Sequence, residues 1–273
     1  MKFLQLFLFF FFTFSLFHSQ EDLNITIEKE KVDGDYILYI SNNELAPVSI
    51  EFTFETKNMD VSIPNSTIKV IPANTKREIF AKFSPKEKFE PYSFKYKNYY
   101  VLGDVNVSKA DDTTYWLPFE KDKTESIYQG YNGNFSHQKA YSLDFSHKLN
   151  SKVTASRGGK VVFVKSDSDK FCSTKDCAQY NNKIIILHSD QTLGEYVHLK
   201  KNGSVVKKGD IVEQGQLIGY SGNTGWSKGP HLHFSVFINK INGERTYYKT
   251  KFRVKESPNP IYLQEKGKYT RNY

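Results

Sequence analysis

The stretch from Gly229 to Ile238, Gly-Pro-His-Leu-His-Phe-Ser-Val-Phe-Ile, limits the possible folds of this chain more than any other segment. A Gly-Pro pair followed by apolar and β-branched residues predicts a β-strand. Side chains two positions apart on a strand project from the same face, so His231 and His233 are expected on one side, about 7 Å apart at their bases. Neutral imidazole is the commonest metal ligand. The alternative is a pair of polar residues on a solvated strand face.

The amino-terminal residues 1–20 have the pattern of a secretory signal peptide. Lys2 precedes an almost unbroken run of Phe and Leu from Phe3 to Phe17. One positive charge before about 15 apolar residues is typical of export signals, and the run is shorter than the roughly 20 residues of a membrane span. We expect cleavage near Ser19 or Gln20, no transmembrane segment afterwards, and a periplasmic, cell-envelope or secreted protein. An uncleaved anchor is the alternative.

The charge balance indicates the kind of partner. The chain has 38 Lys and Arg against 30 Asp and Glu, a formal net charge of +8. The basic residues are spread along the chain and no nucleic-acid-binding motif occurs, so no nucleic-acid partner is expected. An anionic polymer outside the cytoplasm, such as a cell wall, fits an exported basic protein better.

The two cysteines, Cys172 and Cys177, are close in sequence. In an oxidising compartment such a pair predicts a disulfide rather than a metal site. Two free thiols are the alternative.

Residues 21–100 predict a β-sandwich-like accessory domain. Ile50, Phe52 and Phe54 alternate with polar residues, and Ile79, Ala81 and Phe83 recur at spacing two. Several short strands separated by polar turns are typical of a sandwich. This domain serves targeting, docking or gating, or else it is a spacer or stabilising module.

The remaining chain is divided into a linker, a second domain and a tail. Residues 101–114 are predicted to be the linker and residues 115–250 an all-β domain, because strands follow one another around glycine turns without a βαβ pattern. Residues 251–273 are predicted to be a basic carboxy-terminal tail.

The second domain holds enough ligands for a catalytic metal. Such a zinc usually has three protein ligands and an open position for water. His137, Asp144 and one histidine of the His-x-His strand can supply three ligands, and His198 lies on a predicted neighbouring strand. The helical His-Glu-x-x-His and the Gly-x-Ser-x-Gly motif of serine hydrolases are both absent.

These motifs resemble the lysostaphin-like zinc metallopeptidases, which are mostly peptidoglycan endopeptidases. The resemblance covers about residues 115–240. It rests on five stretches: Gln129–His137, Asp144-Phe145, Tyr196–Leu199, the glycine-spaced run Val206–Gly219, and Gly222–Phe234 with its Gly-Pro-His-Leu-His-Phe box. It implies an antiparallel β-sheet metallopeptidase domain. It also implies Zn²⁺ as cofactor, with His137, Asp144 and His233 as zinc ligands, and His198 and His231 as catalytic histidines. His188 is expected to be a structural or rim residue.

One spacing departs from the family pattern. His137 and Asp144 lie seven positions apart, whereas many members have four, and Ser136-His137 with Asp144 also resembles the D-Ala-D-Ala carboxypeptidase and hedgehog group. The expected function is zinc-dependent hydrolysis of peptide cross-links in bacterial peptidoglycan. The alternatives are a catalytically silent wall-binding or regulatory protein on the same fold, a D-Ala-D-Ala carboxypeptidase-like enzyme, and a lipoyl-like carrier suggested by Val206–Gly219. A carrier needs a cytoplasmic partner, which argues against it for an exported chain.

Overall fold

The computed structural model describes residues 23–87 and 89–273. The expected signal peptide, residues 1–20, lies outside the described residues. Within the described part the predicted all-β class is confirmed, because a single short 3-10 helix, η1 (Lys175–Tyr180), accompanies 24 strands. No helix in this part of the chain is long and apolar enough to cross a membrane.

The amino-terminal strands form two sheets. The first has the order β1-β2-β6-β4 and the second the order β5-β3-β7. Their strands are β1 (Ile25–Val32), β2 (Asp35–Asn42), β3 (Val48–Lys57), β4 (Met59–Val61), β5 (Thr67–Ile71), β6 (Thr75–Pro85) and β7 (Ser93–Leu102). One hydrophobic cluster takes residues from both sheets, which therefore pack face to face as a sandwich.

The alternation predicted for β3 is present, and that for β6 is interrupted. Ile50, Phe52 and Phe54 all belong to the core between the two sheets. In β6, however, Ile79 is exposed while Phe80 and Ala81 are both buried. The register with β2 shifts at this point, where a β-bulge adds one residue to β6. Beyond the bulge the alternate set of β6 side chains points into the core.

The second half of the chain is built on one large antiparallel sheet. Its order is β17-β12-β14-β15-β20-β10-β9-β24, with β21 paired to β20, and three small sheets surround it. The strands are β8 (Thr114–Tyr115), β9 (Lys123–Gln129), β10 (Ser142–Phe145), β11 (Lys152–Thr154), β12 (Gly159–Lys165), β13 (Phe171–Cys172), β14 (Lys183–Leu187), β15 (Leu193–Val197), β16 (Leu199–Ser204), β17 (Ile211–Val212), β18 (Leu217–Ser221), β19 (Gly225–Trp226), β20 (Leu232–Asn239), β21 (Arg245–Tyr247), β22 (Lys251–Val254), β23 (Ser257–Tyr262) and β24 (Lys268–Arg271).

The large sheet is covered on both faces by different cores. Phe234 and Val236 of β20 point into the main core, whereas Phe237 joins a second cluster on the opposite face. That second cluster contains Leu193 and Ile185 of the sheet together with Ala46, Val48 and Leu102 of the amino-terminal part. Burial on both faces explains the continuous apolar run Ile184–Ile186 of β14, whose side chains enter the two cores alternately.

The carboxy-terminal segment is not the peripheral tail expected for residues 251–273. It forms β22, β23 and β24, and β24 pairs with β9 at the edge of the large sheet. Phe252 and Leu263 are buried in the main core. In β22 the basic residues alternate with apolar ones, so this strand buries one face and exposes the other.

Candidate metal centre

Strand pairing brings Asp144 and His233 together. In the register between β10 and β20 these two residues are direct partners, and Val197 of β15 is the partner of His233 on its other side. Directly opposed side chains on one face of a sheet lie about 5 Å apart at their Cβ atoms. His198 follows β15 at once, and its φ of 66° lies in the left-handed region, which turns its side chain away from the strand alternation.

A tight loop between β9 and β10 supplies His137, which is fully buried. The amide of His137 donates to the carbonyl of Gly133, and its own carbonyl accepts from the amide of Ala140. Lys139 takes a φ of 61° inside this turn. The additional residues between His137 and Asp144 are thus taken up by a turn, and the seven-residue spacing still brings both side chains to the same point.

Three donor atoms converge, one from each of the expected ligands. His137 Nε2 lies 3.2 Å from His233 Nδ1 and 3.2 Å from Asp144 Oδ1, and the last two atoms are 3.0 Å apart. Ligands about 2.0–2.1 Å from a tetrahedral zinc lie roughly 3.3 Å from one another. The donor triangle therefore has the size and the N₂O composition that suit zinc, and these residues fit the ion.

The surroundings of His137 and Asp144 fix their orientation. His137 Nδ1 lies 2.9 Å from the carbonyl of Gly130, so its proton belongs on Nδ1 and the Nε2 lone pair faces the centre. Gln129 Nε2 donates to Asp144 Oδ2 at 3.0 Å and to Ser136 Oγ at 2.8 Å. Sequence reasoning assigned no role to Gln129. Its position at the end of β9, before the two glycines of the loop, was the available signal.

The electrostatics of Asp144 favour its charged form. Burial acts to raise the pKa of its carboxyl, but the adjoining imidazoles of His137 and His233 outweigh burial and hold that pKa well below its usual range. Asp144 therefore presents a carboxylate at neutral pH. A charged oxygen at this position is the form that binds a cation.

A second carboxylate, which was not predicted from the sequence, faces the outer nitrogen of His233. Glu195 of β15 is buried, and its Oε1 lies 4.0 Å from His233 Nε2. The same oxygen accepts from Ser235 Oγ at 3.0 Å and from Arg245 at 2.6 Å. Burial acts to raise the pKa of Glu195, but Arg245 and Lys183 prevail and lower it to about 2. At 4.0 Å this oxygen is beyond hydrogen-bond distance of His233, so Glu195 acts on that ring through its charge.

His198 and His231 form a pair beside the three ligands. Their ring centroids are 4.4 Å apart. His198 Nδ1 lies 2.7 Å from the carbonyl of Thr224, and His231 Nδ1 lies 2.8 Å from that of Gly229. Both rings are thus held with the proton on Nδ1 and an unprotonated Nε2. Burial lowers the pKa of His198 to about 3 and also lowers that of His231, so both are neutral bases at physiological pH.

The disulfide loop lies close to this pair. The structure joins Cys172 and Cys177 by a disulfide. Strand β13 pairs in parallel with β19, and the amide of Ser227 donates to the carbonyl of Cys172 at 3.0 Å. Ser227 Oγ in turn lies 3.3 Å from His231 Nδ1. The loop is outside the ligand set, yet it supports the segment that leads to His231.

His188 is separate from the centre. It is buried, and its Nδ1 lies 2.9 Å from the carbonyl of Gly158. Its ring packs edge-on against Tyr115. These contacts are those of a core residue, as expected for a structural histidine.

Comparisons with known proteins show similarities that lie mainly in the second half of the chain. A family model described as peptidase family M23 matches residues 138–245. This range includes Asp144, His198, His231 and His233, and His137 immediately precedes it.

Two curated relatives and one solved structure are similar to the chain. An uncharacterized metalloprotease of Buchnera aphidicola subsp. Baizongia pistaciae is 28% identical over 229 residues, which cover 80% of this chain and 50% of the relative. The peptidoglycan DD-endopeptidase ShyA of Vibrio cholerae is 36% identical over 95 residues, 35% of this chain and 19% of the relative. The catalytic domain of lysostaphin from Staphylococcus simulans matches with 30% identity and a TM-score of 0.34, covering 46% of this chain and 87% of that structure. The chain thus spans half or less of the length of these two relatives.

Proposed function

We propose that the chain is an exported zinc endopeptidase that hydrolyses peptide cross-links of bacterial peptidoglycan, on the premise that residues 138–245, which match the model of peptidase family M23, belong to that family. The substrate class is supported by relatives such as ShyA, which is named as a peptidoglycan DD-endopeptidase. Export is supported by the Lys2-plus-Phe/Leu pattern of residues 1–20.

The observation that carries the proposal is the donor triangle of His137, Asp144 and His233. Its edges of 3.0–3.2 Å fit a tetrahedral zinc, and two neutral imidazoles stand next to it. When bound, zinc supplies Lewis acidity, which polarises a carbonyl and acidifies water. Three protein ligands leave room for substrate and water, as in catalytic rather than structural zinc sites.

The chain's own residues provide proton transfer and orientation. The Nε2 atoms of His198 and His231 are the basic positions, because each Nδ1 is held by a backbone carbonyl. One of these nitrogens accepts the proton of the attacking water, and a protonated imidazole returns it to the leaving amine. The other Nε2 accepts a hydrogen bond from the water or the substrate, because its ring carries its proton on Nδ1. Gln129 keeps the Asp144 carboxylate in place during these steps.

Five alanine variants test the assignment of roles. His137→Ala, Asp144→Ala and His233→Ala should purify with depleted zinc, because each removes one ligand. His198→Ala and His231→Ala should keep about one zinc per chain, as in three-ligand catalytic sites, and lose roughly 10²–10⁴ in rate. Zinc content is measured by mass spectrometry, and activity by the peptides released from purified peptidoglycan. His188→Asn serves as the control and should keep both zinc and activity.

Each contrary outcome has a separate meaning. Retained zinc and activity in all five variants would place the centre elsewhere. Loss of zinc from His231→Ala together with its retention in His233→Ala would invert the two roles. Stoichiometric zinc in a wild-type protein that releases no peptide would indicate a silent wall-binding protein.

A further inference from the structure

A groove lies beside the candidate metal centre, on the loop that carries His137. Its volume is about 410 Å³, within the range of about 300–1,000 Å³ that is common for small-molecule sites. Gln129 forms part of the wall and also donates to Asp144 Oδ2 at 3.0 Å. Tyr128 borders the groove, and its ring centroid lies 6.0 Å from that of His231. An extended ligand in this groove is therefore adjacent to the proposed catalytic histidines.

The polar groups of the groove suit an uncharged ligand that is rich in hydroxyls. Asn132 and Asn134 are exposed, and each side-chain amide offers both donors and an acceptor. Glu265 Oε2 accepts from the amide of Gly130 at 3.2 Å, which leaves Oε1 for a ligand hydroxyl. In the described part of the chain no Lys or Arg lines the groove, so it offers no positive charge to an anion. This local chemistry is opposite to the formal net charge of +8.

Exposed aromatic rings lie next to these polar groups. The side chains of Tyr128 and Phe135 are 58% and 39% exposed, and both line the groove. The ring of Phe135 is held by Trp226, at 5.7 Å between centroids, and by the ammonium of Lys228, 3.9 Å from its centroid. A sugar ring has an apolar C–H face and polar hydroxyl edges. Aromatic faces beside amides and a carboxylate are complementary to both.

We propose that this groove is a saccharide subsite, which binds the neutral glycan strand that carries the peptide to be cut. Sugar rings stack on Tyr128 and Phe135. Their hydroxyl and acetamido groups hydrogen-bond to Asn132, Asn134 and Glu265. The proposal rests on the proposed function, because it places the glycan of peptidoglycan next to the peptide cross-link. It extends the recognised substrate from the peptide to the strand.

Two tetrasaccharides test the preference for a neutral strand. The β-linked tetramer of N-acetylglucosamine is uncharged, whereas the β-linked tetramer of mannuronic acid has a carboxylate on every ring. Binding to the full zinc-loaded chain is followed by NMR at the amide resonances of Gly130 and Gly133, which lie at the groove. The neutral tetramer should bind about tenfold tighter at these resonances, because an anionic strand would face the carboxylate of Glu265.

Two variants test the stacking and the charge separately. Phe135→Ala removes one stacking face and should weaken binding of the neutral tetramer roughly tenfold. Glu265→Gln keeps an acceptor for the amide of Gly130 and removes only the charge, so it should narrow the difference between the two tetramers. Phe89→Ala is the matched control, since it makes the same change at a fully exposed position outside the groove. It should bind both tetramers like the wild type.

The contrary results are equally specific. The subsite is overturned if the neutral tetramer does not shift Gly130 and Gly133, or if the anionic tetramer binds there equally well or better. Unchanged binding of both tetramers in Phe135→Ala and Glu265→Gln would also overturn it. Release of peptides from peptidoglycan is measured in a separate assay. A chain that releases peptides but does not bind the neutral tetramer therefore refutes the subsite alone, and one that binds it without releasing peptides refutes the proposed function alone.

Discussion

In each of the four central histidines, one ring nitrogen faces a backbone carbonyl or a carboxylate of the surrounding protein. The other ring nitrogen faces the proposed metal centre. In His137, His198 and His231, Nδ1 is held by a backbone carbonyl and Nε2 remains available. His233 is reversed, because its Nδ1 joins the donor triangle and its Nε2 faces Glu195. The two histidines of the His-x-His strand therefore differ in which nitrogen acts, although they share a strand.

Glu195 should tune metal affinity through His233. Replacing it in Glu195→Gln removes the negative charge behind the outer nitrogen, and outer-shell changes of this kind cost about 10–100-fold in metal affinity. Competition with a chromophoric chelator should show zinc bound at least tenfold more weakly. Glu44→Gln is the matched control, since Glu44 is a buried carboxylate of the amino-terminal part that pairs with Lys208 of the second half. Equal zinc affinity in both variants would exclude the effect.

His188 should make the fold sensitive to acid. Burial lowers its pKa to about 4, against 6.5 in the unfolded chain. Between these values the unfolded state binds a proton that the folded state does not, so stability falls as the pH drops from about 6.5 to about 4. His188→Asn keeps a donor for the Gly158 carbonyl and removes the titration. Urea unfolding at pH 7 and pH 5 should show the variant losing about 2 kcal/mol less than the wild type. Equal losses would contradict this assignment.

At the level of elements, the carboxy-terminal strands complete the main core of the second half of the chain. The ring of Phe252 on β22 lies about 6 Å from those of Tyr115, Phe145 and Phe234. Phe145 and Phe234 are neighbours of the proposed ligands Asp144 and His233 along β10 and β20. The segment beyond the matched family range therefore supports the strands that carry the centre.

Phe252→Ala should destabilise the protein strongly. Deleting a fully buried phenylalanine costs about 3–5 kcal/mol, because apolar contacts are lost and a cavity remains. Phe89→Ala makes the same chemical change at a fully exposed position and should cost little. Urea denaturation of both variants measures the difference. A cost below about 1 kcal/mol for Phe252→Ala would mean that β22 is peripheral after all.

At the scale of the whole molecule, the amino-terminal sandwich lies on the same face of the large sheet as the donor triangle. Along β20, His233 and Phe237 share one face, and Phe237 packs with Val48 and Leu102 of the amino-terminal part. The Nδ2 of Asn239 donates to the carbonyl of Leu102 at 2.9 Å, and Lys208 pairs with Glu44. These contacts favour a stabilising role among the roles considered for residues 21–100.

Deleting residues 21–100 should expose this second core. Val162, Ile185, Leu193 and Phe237 would lose their cover, and at about 1–2 kcal/mol each the unfolding midpoint should fall by roughly 10 °C or more. Light scattering should detect association through the exposed patch. Zinc content should be retained, because all proposed ligands lie beyond residue 100. A truncated chain as stable as the intact one would assign the sandwich a role other than stabilisation.

Much of the fold and part of the site could be predicted because their signals are local. The period of two in β3, the Gly-Pro entry into β20 and the His-x-His pair depend only on neighbouring residues. The residues that converge on the centre were also predicted, but from motifs whose resemblance to a family supplied the long-range pairing. Their roles remain predictions.

Other features were decided by tertiary structure alone. The bulge that buries Phe80 in place of Ile79 depends on the partner strand. The burial of Phe252 depends on Phe234 and on the rings of Tyr115 and Phe145, which lie more than 100 residues away. Glu195 reaches His233 through strand register, which its own sequence neighbourhood does not indicate. Gln129 stands before the two glycines of the loop, but only loop closure brings it to Asp144. Contacts between residues distant in sequence leave no periodic trace, so only the folded chain reveals which polar side chains face the centre.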